Sequence, residues 1–161
     1  MRITLIKPAA ATAAVTLLIL ASAKPVSVAA TDAPAASASM DPCSLVSAAE
    51  ARSILGVDVS TPVSGDDGLM RHCVYSSADK RKSLTLEAKA TDRAVFERWM
   101  KLHGSAVPQL GSDAYTNAGT LLVWKNGTQV NVKISDQSGN RSAEQLEIAQ
   151  EKAASVVLPR L

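Results

Sequence analysis

Two segments of the chain alternate strictly between apolar and polar residues. In "SLTLEAKA" (83–90), leucine and alanine alternate with polar residues, and "TQVNVKIS" (128–135) does the same around Val130, Val132 and Ile134. Because successive side chains of a β-strand point to opposite faces, this pattern predicts two strands with one buried and one wet face. The polar residues expected on the wet face are Thr85, Glu87, Lys89, Gln129, Asn131 and Lys133.

Turn signals join these strands to neighbouring ones. "TLLVWKNGTQVNV" (120–132) predicts a hairpin with Asn126-Gly127 in a type I′ turn. "LMRHCVYSS" (69–77) is expected to pair with the 83–90 strand across the polar loop "ADKRK". "VDVSTPV" (57–63) predicts an edge strand, where a proline is tolerated.

Capping residues and apolar spacing predict three helices. The first covers about 44–55 and ends at Gly56, with an interruption expected near Ser47, which forms a capping box with Glu50. The last begins at Ser142 with a second capping box and ends before Pro159.

The middle helix is expected over about 92–103, before Gly104. Its apolar residues fall on one face, which predicts that they pack in the core. These residues are Val95, Phe96, Trp99 and Leu102.

The element order is α-ββ(β)-α-ββ(β)-α. It predicts an α+β fold with a single antiparallel sheet of about five to six strands, and with the three helices mainly on one face.

The N-terminal segment has the layout of a signal peptide. Two positive charges in "MRITLIK" precede an apolar run too short and too rich in alanine for a convincing membrane span, and small residues mark cleavage sites near residues 23 and 30. We therefore expect a signal peptide over 1–30, a flexible leader over 31–40, and one domain over 41–161. The expected location is periplasmic or secreted, without a stable membrane span after processing.

Export changes the interpretation of the two cysteines, Cys43 and Cys73. Outside the cytoplasm, a lone pair in a small domain is expected to form a disulfide. A catalytic thiol would need a partnered base, and the close C-x-x-C spacing of a zinc site is missing from the sequence.

The charge balance argues against a nucleic-acid partner. Three of the 17 basic residues precede residue 31, whereas all 15 acidic residues follow it, so the chain from residue 31 onward carries a formal charge of −1. Nucleic-acid binding needs a concentrated basic surface.

Candidate chemistry is sparse. His72 and His103 have no third ligand for a metal, and Asp66-Asp67 lies in a turn that lacks the calcium-loop pattern. Ser112-Asp113 lacks the glycine pattern of a nucleophile elbow. We predict no catalytic residue, no metal and no cofactor.

Several short motifs resemble the bacterial exported family called domain of unknown function 3558. They are "DPCSL" at 41–45, the Cys-x-Tyr of Cys73 and Tyr75, and the Gly-x-x-Ala-Tyr of 111–115 before the final hairpin. The resemblance covers most of 41–161 and implies an exported domain without an established activity. Many members of that family are lipoproteins, whereas this chain lacks the additional cysteine that would carry the lipid.

The sequence favours a non-catalytic envelope protein that acts as a binding or interaction module, with another envelope protein as its partner. An inhibitor or immunity-type protein against a secreted enzyme is a narrower alternative. A structural or accessory envelope role and a hydrolytic enzyme are further alternatives. The wet face of the sheet is the hypothetical partner-binding surface, since a polar face with both charges suits recognition.

Overall fold

The computed structural model describes residues 40–161. The predicted signal peptide (1–30) and the leader up to residue 39 lie outside the described residues. The helices are α1 (Ala48–Leu55), α2 (Arg93–His103) and α3 (Ala143–Val157), and short 3-10 turns cover Pro42–Ser44, Pro108–Asp113 and Leu158–Arg160. The strands are β1 (Val63–Asp66), β2 (Arg71–Ser76), β3 (Lys82–Ala90), β4 (Ser105–Ala106), β5 (Ala114–Asn117), β6 (Thr120–Lys125) and β7 (Thr128–Asp136).

Within residues 40–161, all seven strands form one antiparallel sheet in the order β1-β2-β3-β7-β6-β5-β4. The α+β class and the single antiparallel sheet are therefore confirmed. The expected count of five to six strands is too low. β4 has two residues and β5 has four, which is too short for alternation to reveal them. The edge strand predicted over 57–63 instead begins at Val63, and its earlier part contributes only an isolated bridge from Val59 to Ser77.

The first face of the sheet carries the main hydrophobic core. Its buried strand residues pack in one cluster with apolar residues of α1, α3 and the segment before α1. The contributors from the central strands are Leu84, Leu86 and Ala88 on β3 and Val130, Val132 and Ile134 on β7. Long alternating strands and two helices thus enclose this face, as the alternation predicted.

The second face is covered differently. α2 packs there, and Phe96 is its one fully buried side chain, with ring centroids 5.0 Å from Tyr115 and 6.4 Å from Trp124. The register places Tyr115 in line with Leu122 and Asn131, on the face opposite to the main core. Within residues 40–161, two of the three helices therefore lie on the first face and α2 lies on the second.

The expected core face of α2 is also wrong in part. Val95, Trp99 and Leu102 are 41%, 52% and 65% exposed, although they share the apolar side with Phe96. Successive residues of a helix are rotated by about 100° around its axis. The four apolar residues of α2 therefore span a wider part of the helix surface than its contact with the sheet can bury. α2 is rotated so that Phe96 faces the sheet and the other three residues do not.

The ends of the other two helices agree with the sequence. Ser47 caps α1 and Ser142 caps α3, each with a complete capping box, and Gly56 ends α1 at φ 70°. The expected interruption near Ser47 is present, because a 3-10 turn precedes α1 instead of a continuous helix. The hairpin turn at Asn126-Gly127 has positive φ at both residues, as a type I′ turn requires.

A disulfide ties the segment before α1 to the sheet. Cys43 in the first 3-10 turn and Cys73 in β2 are joined, with Cα atoms 5.1 Å apart. Next to it the buried Tyr75 hydroxyl donates to the carbonyl groups of Val46 and Cys43. The disulfide expected from the sequence is therefore present, and it belongs to the first face.

Candidate functional site

The register of β3 and β7 brings together the six polar residues expected on the wet face. Thr85 lies opposite Lys133, Glu87 opposite Asn131, and Lys89 opposite Gln129. Directly opposite side chains of an antiparallel pair share one face. The six residues therefore lie as three adjacent cross-strand pairs on the second face, and we call them the polar rows.

Hydrogen bonds hold part of the polar rows in place. Gln129 Nε2 donates to Asn131 Oδ1 at 2.7 Å, and Asn131 Nδ2 donates to Glu87 Oε2 at 3.1 Å. The side-chain amide of Asn131 thus positions the carboxylate of Glu87, and the amide of Gln129 in turn positions Asn131. Side chains held in this way lose less conformational entropy when they contact another molecule.

The six residues differ in their exposure. Lys89 and Lys133 are exposed, and Thr85, Glu87 and Asn131 are half-buried. Gln129 is only 5% exposed, beside Trp124 in the register, so the expectation that it faces solvent is wrong. Its role is to support Asn131 from below the accessible surface.

His72 extends the polar rows toward the sheet edge. It lies opposite Glu87 on β2, and its ring lies over Gly65 of β1. A Cβ atom at position 65 would be 2.2 Å from His72 Nε2, so this ring position requires glycine there. The sequence alone does not place His72 opposite Glu87, because this pairing depends on the register of β2 and β3.

An apolar strip borders the same face of the molecule. We use "α2 stripe" for Val95, Trp99 and Leu102, the exposed apolar residues of α2. The Trp99 ring lies 5.0 Å from the ring of His103, between centroids. Arg98 and Lys101, both exposed, are the neighbouring cations on the helix. The sequence pattern contained this stripe, but only the rotation of α2 shows that it is exposed.

The acidic candidates have local structural roles. Asp67 accepts backbone hydrogen bonds from Leu69 and Met70, which lower its pKa, and Asp66 accepts one from Gly68. Asp113 forms an ion pair with Arg93 of α2. Within residues 40–161, no group of three or more His, Cys, Asp or Glu side chains is arranged to hold a metal ion.

A groove of about 410 Å³ lies between α1 and α3 and is lined by cationic side chains. Arg141 Nη2 donates to the carbonyl groups of Ile54 and Leu55, and Lys152 Nζ donates to that of Ser53. Both cations therefore close the C-terminal end of α1, where carbonyl groups lack helical partners. This groove is part of the helix packing on the first face.

No helix in the described part of the chain has the length and apolar character needed to cross a membrane. Comparison with protein-family models, with curated proteins and with solved structures gave no match.

Proposed function

We propose that the chain is an exported, non-catalytic binding module of the bacterial envelope, and that it contacts its partner through the polar rows. The observation that carries the proposal is the chain of hydrogen bonds from Gln129 through Asn131 to Glu87, on two long paired strands. A recognition surface benefits from side chains fixed in place by rigid elements. The polar rows carry both positive and negative side chains, which favours a polar protein surface as the partner.

Membership of the family called domain of unknown function 3558 is part of the same proposal. The disulfide joins the first and second of the motifs that carry the resemblance. The third motif places Ala114 and Tyr115 at the start of β5, where both are buried. The motifs thus coincide with structural positions, which supports a shared fold without assigning an activity.

The test is capture of partner proteins from envelope extract by the tagged exported chain. Glu87→Ala with Lys133→Ala removes the one carboxylate and one of the two lysines of the polar rows. Since partly exposed charged groups contribute little to stability, the free energy of unfolding should change by less than about 1 kcal/mol. Capture of the partner identified with the unchanged chain should fall sharply.

A matched control removes the same two charges elsewhere. Glu147 of α3 and Arg81 of the 77–81 loop are exposed and lie outside the polar rows. Glu147→Ala with Arg81→Ala should leave capture unchanged. Equal capture by the two double variants, with normal circular dichroism, would exclude the polar rows as the binding surface. If the captured partner is a secreted hydrolase, an activity assay would separate an inhibitor from an accessory protein.

A further inference from the structure

The α2 stripe is an unusual feature of the described surface. It places a tryptophan, a leucine and a valine side by side, each at least 41% exposed, on a helix that contacts the sheet through Phe96. Single exposed apolar side chains are common, but an adjacent group beside polar residues marks a contact surface.

Two cations without ion pairs in the described part of the chain lie near the stripe, together with one exposed acidic residue, Asp92 at the N-cap of α2. Arg98 is three residues after Val95 and four before Leu102, so it lies against both on the helix surface. Arg98 and Lys101 are exposed and form no ion pair within residues 40–161, whereas Arg93 is engaged by Glu97 and Asp113. Arg98 thus borders the exposed apolar residues, and Lys101 lies on the adjoining solvent-facing side of the same helix.

The size of the stripe argues against a second protein as its occupant. A stable protein complex buries about 800 Å² on each partner, and three partly exposed side chains fall well short of this. A lipid interface makes no such demand. A helix with Trp and Leu on one side and Lys or Arg on the other lies in the plane of an anionic bilayer and inserts its apolar residues.

We propose that the α2 stripe docks on the surface of an anionic lipid bilayer. Val95, Trp99 and Leu102 enter the interfacial region, and Arg98 and Lys101 contact the phosphate headgroups. This peripheral contact goes beyond the proposed function, because it needs neither the polar rows nor a protein partner.

The experiment measures binding of the exported chain to vesicles of phosphatidylglycerol and phosphatidylcholine in equal parts, by co-sedimentation. Vesicles of phosphatidylcholine alone are the comparison. Binding should favour the anionic vesicles and weaken as salt increases, because exposed charges are screened. Tryptophan emission should shift to shorter wavelength on binding, and Trp99→Phe should abolish that shift.

Two double variants test the two parts of the stripe. Arg98→Gln with Lys101→Gln should weaken binding to the anionic vesicles about 30-fold, given the usual contribution of each basic residue near such a surface. Val95→Gln with Leu102→Gln should weaken it at least about tenfold. All variants carry the same N-terminal residues, so any binding by that segment cancels in the comparison.

Matched controls change equivalent residues elsewhere. The side chain of Ile148 on α3 is 57% exposed, a fraction similar to the 65% of Leu102. Ile148→Gln therefore tests for nonspecific loss of apolar surface. Lys80→Gln with Arg81→Gln removes two exposed cations from the 77–81 loop. Neither control should reduce binding more than about twofold.

Three results would overturn the proposal. The first is equal binding to both vesicle types, and the second is equal loss in the controls and the stripe variants. The third is the absence of binding to the anionic vesicles. A concentration-dependent dimer that Val95→Gln with Leu102→Gln dissolves would in that case identify the stripe as a self-association surface. Thermal unfolding of each variant confirms that it is folded.

Discussion

The two faces of the sheet differ in how they are covered. On the first face, α1 and α3 pack on the central strands. The same layer contains the disulfide, the hydrogen bond of the Tyr75 hydroxyl, and the ion pair of Arg160 with Glu50. On the second face, α2 attaches through Phe96 at the β5–β6 end, and five of the six residues of the polar rows stay exposed or half-buried.

This difference separates stability from recognition. Buried apolar area and cross-links accumulate on the first face, where they stabilise the fold. On the second face, hydrogen bonds position Asn131 and Glu87, which are half-buried, beside the exposed Lys89 and Lys133. Changes on the first face should therefore reduce stability, and changes in the polar rows should reduce binding.

Reduction of the disulfide should have the largest effect on stability. A disulfide between residues 30 apart should contribute about 3.5 kcal/mol to the free energy of unfolding, because it lowers the conformational entropy of the unfolded chain. Urea unfolding of the oxidised and reduced protein measures the difference. Alkylation before reduction should label neither cysteine, and a labelled thiol would contradict the pairing.

Phe96→Ala should destabilise the second face by about 3 kcal/mol, because α2 loses its one fully buried side chain. The loss should be local. Helix α2 should separate from the sheet while the near-ultraviolet signal of Tyr75 on the first face persists. If the contact of α2 with the sheet and the Tyr75 signal were lost together at one urea concentration, the two faces would unfold as a unit.

Tyr75→Phe should reduce the free energy of unfolding by about 1–3 kcal/mol, since the buried carbonyl group of Val46 loses its donor. The matched change is Tyr115→Phe on the second face, where the ring packs on Phe96. For Tyr115 we expect a smaller loss. Equal losses in urea unfolding would remove the distinction between the two tyrosines.

The smallest effect concerns Glu50 and pH. Hydrogen bonds from Arg160 and from Ser47 lower the pKa of Glu50 from 4.5 to about 2. Because the folded pKa lies below the unfolded one, this stabilisation is complete above about pH 4.5 and disappears as the pH falls toward 2. Arg160→Gln should flatten the pH dependence of the urea midpoint in this window, by no more than about 1 kcal/mol. An unchanged pH profile would contradict the assignment.

The sequence predicted the first face better than the second. Strict alternation in β3 and β7, both capping boxes and the hairpin turn depend on local chemistry, and all are present. The position of α2 depends on which part of a wide apolar arc meets the sheet. That choice is made by tertiary contact with Tyr115 and Trp124, which no local pattern encodes.

The candidate site divides in the same way. Alternation placed Thr85, Glu87, Lys89, Asn131 and Lys133 on an accessible face, and the register pairs them. The burial of Gln129 and the approach of His72 to Gly65 required the neighbouring strands to be in place. Periodicity identifies which face a residue is on, and only packing decides how much of it is covered.

Native-state hydrogen exchange tests most directly the central claim that the second face is the weakly covered one. Amide protons of α2 should exchange through openings that cost clearly less free energy than those of α1 and α3, with the amides of β3 and β7 still protected. Protection of α2 equal to that of α3, with both lost only in global unfolding, would contradict the account.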